Sequence, residues 1–338
     1  MSNQLSKDAH AVLFPAFDTL SLSHSILRFL DEGGCSILLG ESRAEYVARE
    51  MSQKRVDDET AESFQSVTAK ARGLADNLLV ALDQEIAGIC RLHELAPSFP
   101  TKENLETYSA KDFEELSREM ARAAKDLGVN CFLAPILDMI TGQNPWLKNR
   151  TWSTNPELVA KLSSAFIRGV QAEGVAATAK HFPGFHNIAL DPAVEENAVV
   201  DEASTTFEAG FIPFRDAIVN GVEMVMVGPS IVEAFDAETP ASISPNVIGM
   251  LKHEFGFKGV IMSDDLDAKA TLRGSTVEEV AVKALQAGSD FLLLADIEDQ
   301  VGRVASALSE AVKDGRLAEE RLAEAAAKVR TLAAKYSP

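Results

Sequence analysis

Eight short, nearly continuous apolar runs recur along the chain, and each is followed by a stretch of helical periodicity. They cover residues 11–17, 35–40, 77–83, 131–138, 176–181, 224–228, 259–263 and 291–295. A strand that is apolar on both sides must be covered on both sides, as in a parallel sheet flanked by helices. The intervening helices obey ordinary start and stop rules. The spacing predicts helices over 112–127, ending before Gly128, and over 156–172, opening with Pro156 in the first turn. Further helices are expected over 205–219, 245–254, 277–287 and, in an Ala-rich tail, 316–335. Eight such units in 338 residues predict an α/β protein, a (β/α)8 TIM barrel occupying 1–338 as a single domain. An open doubly wound sheet is the rival, but its Gly-x-Gly-x-x-Gly fingerprint is missing after the first strand. No Gly/Ser- or Pro-rich linker divides the chain, and no repeat of 20–50 residues goes beyond the strand–helix alternation.

A barrel places its catalytic groups at the C-terminal ends of its strands. Polar residues gather there. The third run ends in Asp83-Gln84-Glu85, with Arg91 soon after. The fourth ends at Asp138 and leads to Asn149-Arg150. The fifth ends in Lys180-His181 before a turn at Pro183-Gly184, and its loop carries His186, Asp191, Glu195 and Glu196. The sixth ends in Gly228-Pro229-Ser230 and the seventh in Ser263-Asp264-Asp265. Any one of these could be a cap or a loop residue. Five such ends converging on one mouth suit a neutral, polyhydroxylated ligand such as a sugar, with Asp83 as acceptor and Arg91, Arg150 and Lys180 as donors.

Charge and cysteine content narrow the partners. With 51 acidic against 32 basic residues the formal charge is -19, which disfavours nucleic acid and anionic membranes. Three scattered cysteines fit no disulfide framework, and no metal-ligand spacing is visible, so neither metal nor cofactor is expected. The first residues lack the apolar core of a signal peptide, and no run is long enough to span a bilayer. The expectation is a soluble, cytoplasmic protein acting on a small molecule or an oligosaccharide.

Glycoside hydrolysis usually needs a carboxylate nucleophile and a second group as acid/base. Asp264 or Asp265 could be the first. Adjacent residues of a strand point oppositely, so only one of them is expected to face the substrate. Lys180 and Arg150 are expected to keep that carboxylate ionised.

These segments resemble a known family. Residues 133–138 with Asn149-Arg150, Lys180-His181-Phe182-Pro183-Gly184, and 259–266 as Gly-Val-Ile-Met-Ser-Asp-Asp-Leu are similar to glycoside hydrolase family 3. The branch resembled is the single-domain bacterial β-N-acetylglucosaminidases (β-N-acetylhexosaminidases). Asp83-Gln84-Glu85 and Thr239-Pro240-Ala241-Ser242 match as well, so the similarity covers nearly the whole chain. It implies a (β/α)8 barrel and a retaining β-glycosidase with Asp264 as nucleophile. It also implies that Asp83, Arg91, Arg150, Lys180 and His181 contact the terminal sugar.

The chain departs from that pattern in the fifth loop. The branch follows Lys-His-Phe-Pro-Gly with His-Gly-Asp and later Asp-Ser-His, whose Asp and His form the acid/base dyad. Here Asp191 remains, but the histidine position is Ala193, which carries no proton. Ile86-Ala87-Gly88 replaces a Gly-Gly-Arg segment, Ser230 stands at a usual histidine, and no second domain is expected to supply a Glu. Two readings follow: a glycosidase whose acid/base is relocated to Glu195, Glu196 or His186, or a homologue that binds a sugar without hydrolysing it. Transglycosylation and phosphorolysis stay open. Without the resemblance, Lys180 at a strand end could also form a Schiff base.

Overall fold

In the computed structural model, which describes residues 3–337, eight parallel strands form the barrel. They are β1 (Leu13–Phe17), β2 (Ser36–Leu39), β3 (Leu79–Leu82), β4 (Cys131–Phe132), β5 (Ala176–Phe182), β6 (Met224–Val227), β7 (Val260–Ser263) and β8 (Leu292–Leu294). Each pairs with its neighbour in chain order, and β1 pairs with β8. Closure comes between β7 and β8, where Met262 bridges Phe291 and Ser263 N–H donates to Phe291 C=O at 2.9 Å. The (β/α)8 barrel expected from the eight apolar runs is the observed fold. Every residue of seven of the runs' strands is buried on both faces, as parallel strands under helices must be.

The fourth run differs from expectation. Regular pairing covers only Cys131–Phe132, because Pro135 has no N–H to give to the ladder. The segment still follows β5: Thr178 N–H donates to Ala134 C=O at 2.8 Å, and Leu137 N–H to Lys180 C=O at 2.7 Å. Asp138 is thereby carried to the same mouth as its neighbours.

Helices wrap the outside. Pro156–Ala172 starts under an Asn155 cap with Pro156 in its first turn and buries Leu162, Phe166 and Ile167. Each such side chain contributes about 1.5–3 kcal/mol of burial. The helix expected over 205–219 begins at Glu208, after a tight turn at Ser204–Phe207, and the tail helix runs Glu319–Tyr336. Among the described residues no helix is long and apolar enough to cross a membrane.

Two local features without a clear sequence signal shape the mouth. Between β2 and β3 lie three helices, of which Arg43–Ala48 matters most. Ser42 and Glu45 cap it reciprocally, and Glu45 is further tied to Ser52 and, at 2.7 Å, to Arg55. That brace holds Glu41 and Tyr46 over the strand ends. The second feature is a short parallel pair, Val199–Val200 with Ile231–Val232, which ties the loop after β5 to the loop after β6.

Candidate active site

One cavity opens at the C-terminal ends of the strands. Asp83 after β3, Arg150 in the loop after β4, Lys180 and His181 on β5, and Asp264 and Asp265 after β7 all line it. A wider groove, walled by Ser6, Arg28 and Glu310, lies among the outer helices away from the strand ends.

Its polar wall is a connected ion network centred on Glu85, which is fully buried. Arg150 donates to Glu85 through Nη2 at 2.6 Å, and Lys180 Nζ lies 3.0 Å from Glu85 Oε1 and 2.5 Å from Asp83 Oδ1. Burial alone would push the Glu85 carboxyl up, but Arg150 and Lys180 overcome it and hold the group down to about 2. Burial likewise pulls the Lys180 ammonium down, yet Asp83 and Glu85 outweigh it and hold the group above its ordinary range. A Schiff-base lysine needs a free amine, the opposite condition.

A second set fixes the imidazole. Asp138 is buried; its Oδ2 sits 2.8 Å from His181 Nδ1, and its Oδ1 accepts the Phe185 N–H at 2.7 Å. This sets the His181 ring with Nε2 turned toward Asp264 Oδ2, 3.9 Å away. Trp146 packs on the same ring at a centroid distance of 4.5 Å and donates its indole N–H to Tyr46 Oη at 2.9 Å.

Asp264 follows β7 immediately. Its Oδ1 accepts the Asp265 N–H at 2.8 Å, while Oδ2 is buried with no hydrogen-bond partner among the described residues. Two expectations are corrected. The strand ends at Ser263, so pleated alternation stops there, and both Asp264 and Asp265 line the cavity. Lys180 and Arg150 are engaged by Asp83 and Glu85, and the group facing Asp264 is His181. Burial, with Asp264, Asp267 and Asp296 close by, pushes the Asp265 carboxyl well above the usual range.

Other expected residues lie elsewhere. Arg91 is fully buried behind the wall, paired to Glu59 at 2.6 and 2.9 Å and to Gly40 C=O at 2.5 Å. His186 Nδ1 accepts the Met139 N–H at 3.0 Å, and the ring packs so tightly that a Cβ on Gly210 would meet Nε2 at 2.0 Å. Burial lowers its pKa. Neither residue lines the cavity, nor does Ser230, which is buried. Asp191 folds onto its own loop, its Oδ1 accepting the Ala193 N–H at 2.9 Å. Pro192 C=O then accepts from Ala270 N–H at 3.0 Å, so this loop is stapled to the segment after Asp264-Asp265. The same turn leaves Glu195 and Glu196 exposed and outside the cavity wall.

Sequence reasoning missed Glu41 and Tyr46. Glu41 directly follows β2 and Gly40, the strand-end position that pointed to the other wall residues. Its Oε2 is buried without a hydrogen-bond partner among the described residues. Burial, then Asp83 and Glu85, push its carboxyl up to about 8.

A family model described as the glycosyl hydrolase family 3 N terminal domain matches residues 37–332. The chain belongs to this family. It is 29% identical over 260 residues to a beta-hexosaminidase of Nitrosomonas eutropha, covering 74% of each chain. It is 32% identical over 225 residues to a beta-hexosaminidase of Stenotrophomonas maltophilia, covering 64% of this chain and 66% of that one. Among solved structures, a family 3 beta-N-acetylglucosaminidase from Paenibacillus superposes with a TM-score of 0.87 at 27% identity. That match covers 98% of this chain but 62% of the Paenibacillus protein, so the chain spans less than two thirds of that structure's length. A Beutenbergia cavernae beta-N-acetylhexosaminidase, at 20% identity and a TM-score of 0.85, shares the fold over 98% of both chains.

Proposed function

We propose that the protein is a retaining β-glycosidase, exo-acting on β-N-acetylglucosaminides or a related β-linked sugar, with Asp264 as nucleophile. The observation that carries this reading is Asp264 itself, in the wall of a cavity lined by sugar-compatible donors and acceptors: one oxygen is held by a backbone N–H, and the other is buried without a hydrogen-bond partner among the described residues. In the first step Asp264 Oδ2 forms a bond to the anomeric carbon while the glycosidic C–O bond breaks and the departing oxygen takes a proton. Water then cleaves the glycosyl–enzyme ester. Arg150, Lys180 and Asp83 hold the sugar hydroxyls by charge-assisted hydrogen bonds, and Glu85 fixes the two cations in place.

The proton donor in this reading is not a histidine at position 193. Asp265, beside the nucleophile, is the carboxyl whose pKa is raised by burial and by the neighbouring carboxylates, and its place in the cavity wall favours it over Glu195, Glu196 and His186, none of which lines the cavity. The relation of those three residues to the cavity also favours a second reading, a family member that binds a sugar without hydrolytic turnover. A 2-fluoro glycoside separates the two. The glycosidase should accumulate a covalent label on the peptide containing Asp264, and Asp264→Asn should abolish turnover with folding intact. A label on another carboxylate removes the nucleophile assignment, and no label with intact sugar binding leaves the second reading.

A further inference from the structure

Carboxyl groups facing the cavity outnumber its cations. Its two buried cations, Lys180 and Arg150, are already matched within the wall by Asp83 and Glu85. Arg43 stands at the exposed rim, its guanidinium 5.0 Å from the centre of the Tyr46 ring. His181 is engaged by Asp138. Glu41, Asp264, Asp265 and Asp296 then face the same space, and no buried cation is left for them. Two of these carry a buried oxygen without a hydrogen-bond partner among the described residues: Glu41 Oε2, and Oδ2 of Asp264, a residue only 8% exposed.

A neutral sugar can donate hydroxyl hydrogens to such oxygens but brings no charge to offset them. An ammonium brings both, three donors and a full positive charge. The position of Glu41 fits recognition better than bond cleavage. It stands at the end of β2, next in the barrel to β3 and Asp83, whereas the nucleophile stands at the end of β7. An N-acetyl group could offer the Glu41 oxygen its single amide N–H but brings no charge to offset the carboxylates, and its apolar methyl makes no hydrogen bond.

We infer that the sugar taken by this cavity bears a positively charged amino group, a β-linked glucosamine-type residue without its acetyl group, and that Glu41 is the carboxylate that pairs with it. The inference rests on the glycosidase reading and narrows its substrate. Without a ligand, burial and the like charges of Asp83 and Glu85 hold the Glu41 carboxyl up to about 8. A cation placed against it reverses that balance and favours the ionised form.

Calorimetric titration of the wild-type protein with D-glucosamine, N-acetyl-D-glucosamine and D-glucose tests this without needing turnover. The pH is set mildly acidic so that the free amine carries its proton. Glucosamine should bind at least about tenfold more tightly than either neutral sugar, the size of one charge-assisted hydrogen bond in a partly dry site. Glu41→Gln, which keeps the shape of the side chain, should reduce that preference to within about twofold, with near-ultraviolet circular dichroism checking its fold. Equal or tighter binding of N-acetylglucosamine or glucose by the wild type overturns the inference and leaves the glycosidase reading standing. A preference that survives Glu41→Gln removes Glu41 from the role and overturns it too. If none of the three sugars binds, the sugar-site reading falls and this inference with it.

Discussion

Glu85→Gln is the most informative single change in the wall, because one buried carboxylate holds two buried cations. The substitution keeps volume and shape but removes the charge facing Arg150 at 2.6 Å and Lys180 at 3.0 Å. In the folded protein the Glu85 carboxyl is held down to about 2 from an ordinary 4.5. At about 1.36 kcal/mol per unit that is roughly 3 kcal/mol, at the lower end of the ~3–5 kcal/mol lost when a buried ion pair is broken. With an unfolding entropy of ~2.1 cal/mol/K per residue over this chain, the melting temperature should fall by about 4 °C at pH 7. The sign of the pH dependence comes from the direction of the shift. A carboxyl more acidic folded than unfolded stabilises fully above its unfolded pKa, and that contribution drains away as pH falls toward the folded one. The gap between wild type and Glu85→Gln should therefore shrink to less than half by pH 3. Thermal melts monitored by circular dichroism at both pH values decide it. A variant melting within a degree of wild type at pH 7, or a gap that does not narrow in acid, would refute the view of Glu85 as the clamp of the wall.

Glu41 shows the opposite linkage. Its folded-state pKa is raised, so its burial is tolerated at low pH and grows steadily more destabilising as pH rises from the ordinary 4.5 to about 8. Glu41→Gln should melt close to wild type at pH 5 and above it at pH 9; a constant difference across that range would refute this. Arg91→Ala leaves Glu59 without its bidentate partner behind the wall, so it should lower the melting temperature strongly while changing KM less than Lys180→Ala does. The reverse pattern in steady-state kinetics would place Arg91 against the sugar after all. Ala193→His puts an imidazole beside Asp191 and should speed cleavage of poorly leaving natural glycosides by at least about tenfold, within the ~10²–10⁴ range of general acid catalysis, with little effect on activated aryl glycosides. Equal rates for the variant and wild type on both substrate types would show that position 193 cannot reach the leaving group.

The barrel was legible because parallel strands leave an unambiguous trace: runs such as 224–228 and 291–295 are apolar at nearly every position, and only two covered faces permit that. The strand ends were legible for the same reason, since the first polar residue after each run must sit at the mouth. That logic found Asp83, Lys180, His181 and Asp264. Applied to the second run it also reaches Glu41, but Gly40-Glu41-Ser42 reads as an ordinary turn and helix cap, and the cap in fact forms on Ser42. The roles of Arg91 and of Asp264's neighbours were not legible. Whether a cation faces the ligand or a buried carboxylate depends on long-range partners: Glu59 lies 32 residues before Arg91, and Glu85 lies 65 before Arg150. No local pattern encodes those pairings.

The fifth loop shows how far such pairings can redirect chemistry while the scaffold stays unchanged. Lys180, His181 and Asp138 keep one end of β5 fixed, and their geometry is set by partners on β3 and β4 rather than by the residues beyond Pro183-Gly184. Past that turn, the His186 ring is locked between glycines, and the segment around Asp191 is pinned to the backbone after Asp265. A loop held this way cannot swing Glu195 or Glu196 into the cavity without first breaking the contacts of Pro192 and Ala193 with residues 269 and 270. In the proposed reaction, proton delivery therefore falls to the rigid strand ends themselves, where burial and the same crowd of carboxylates that makes the cavity receptive to a cation raise the pKa of Asp265.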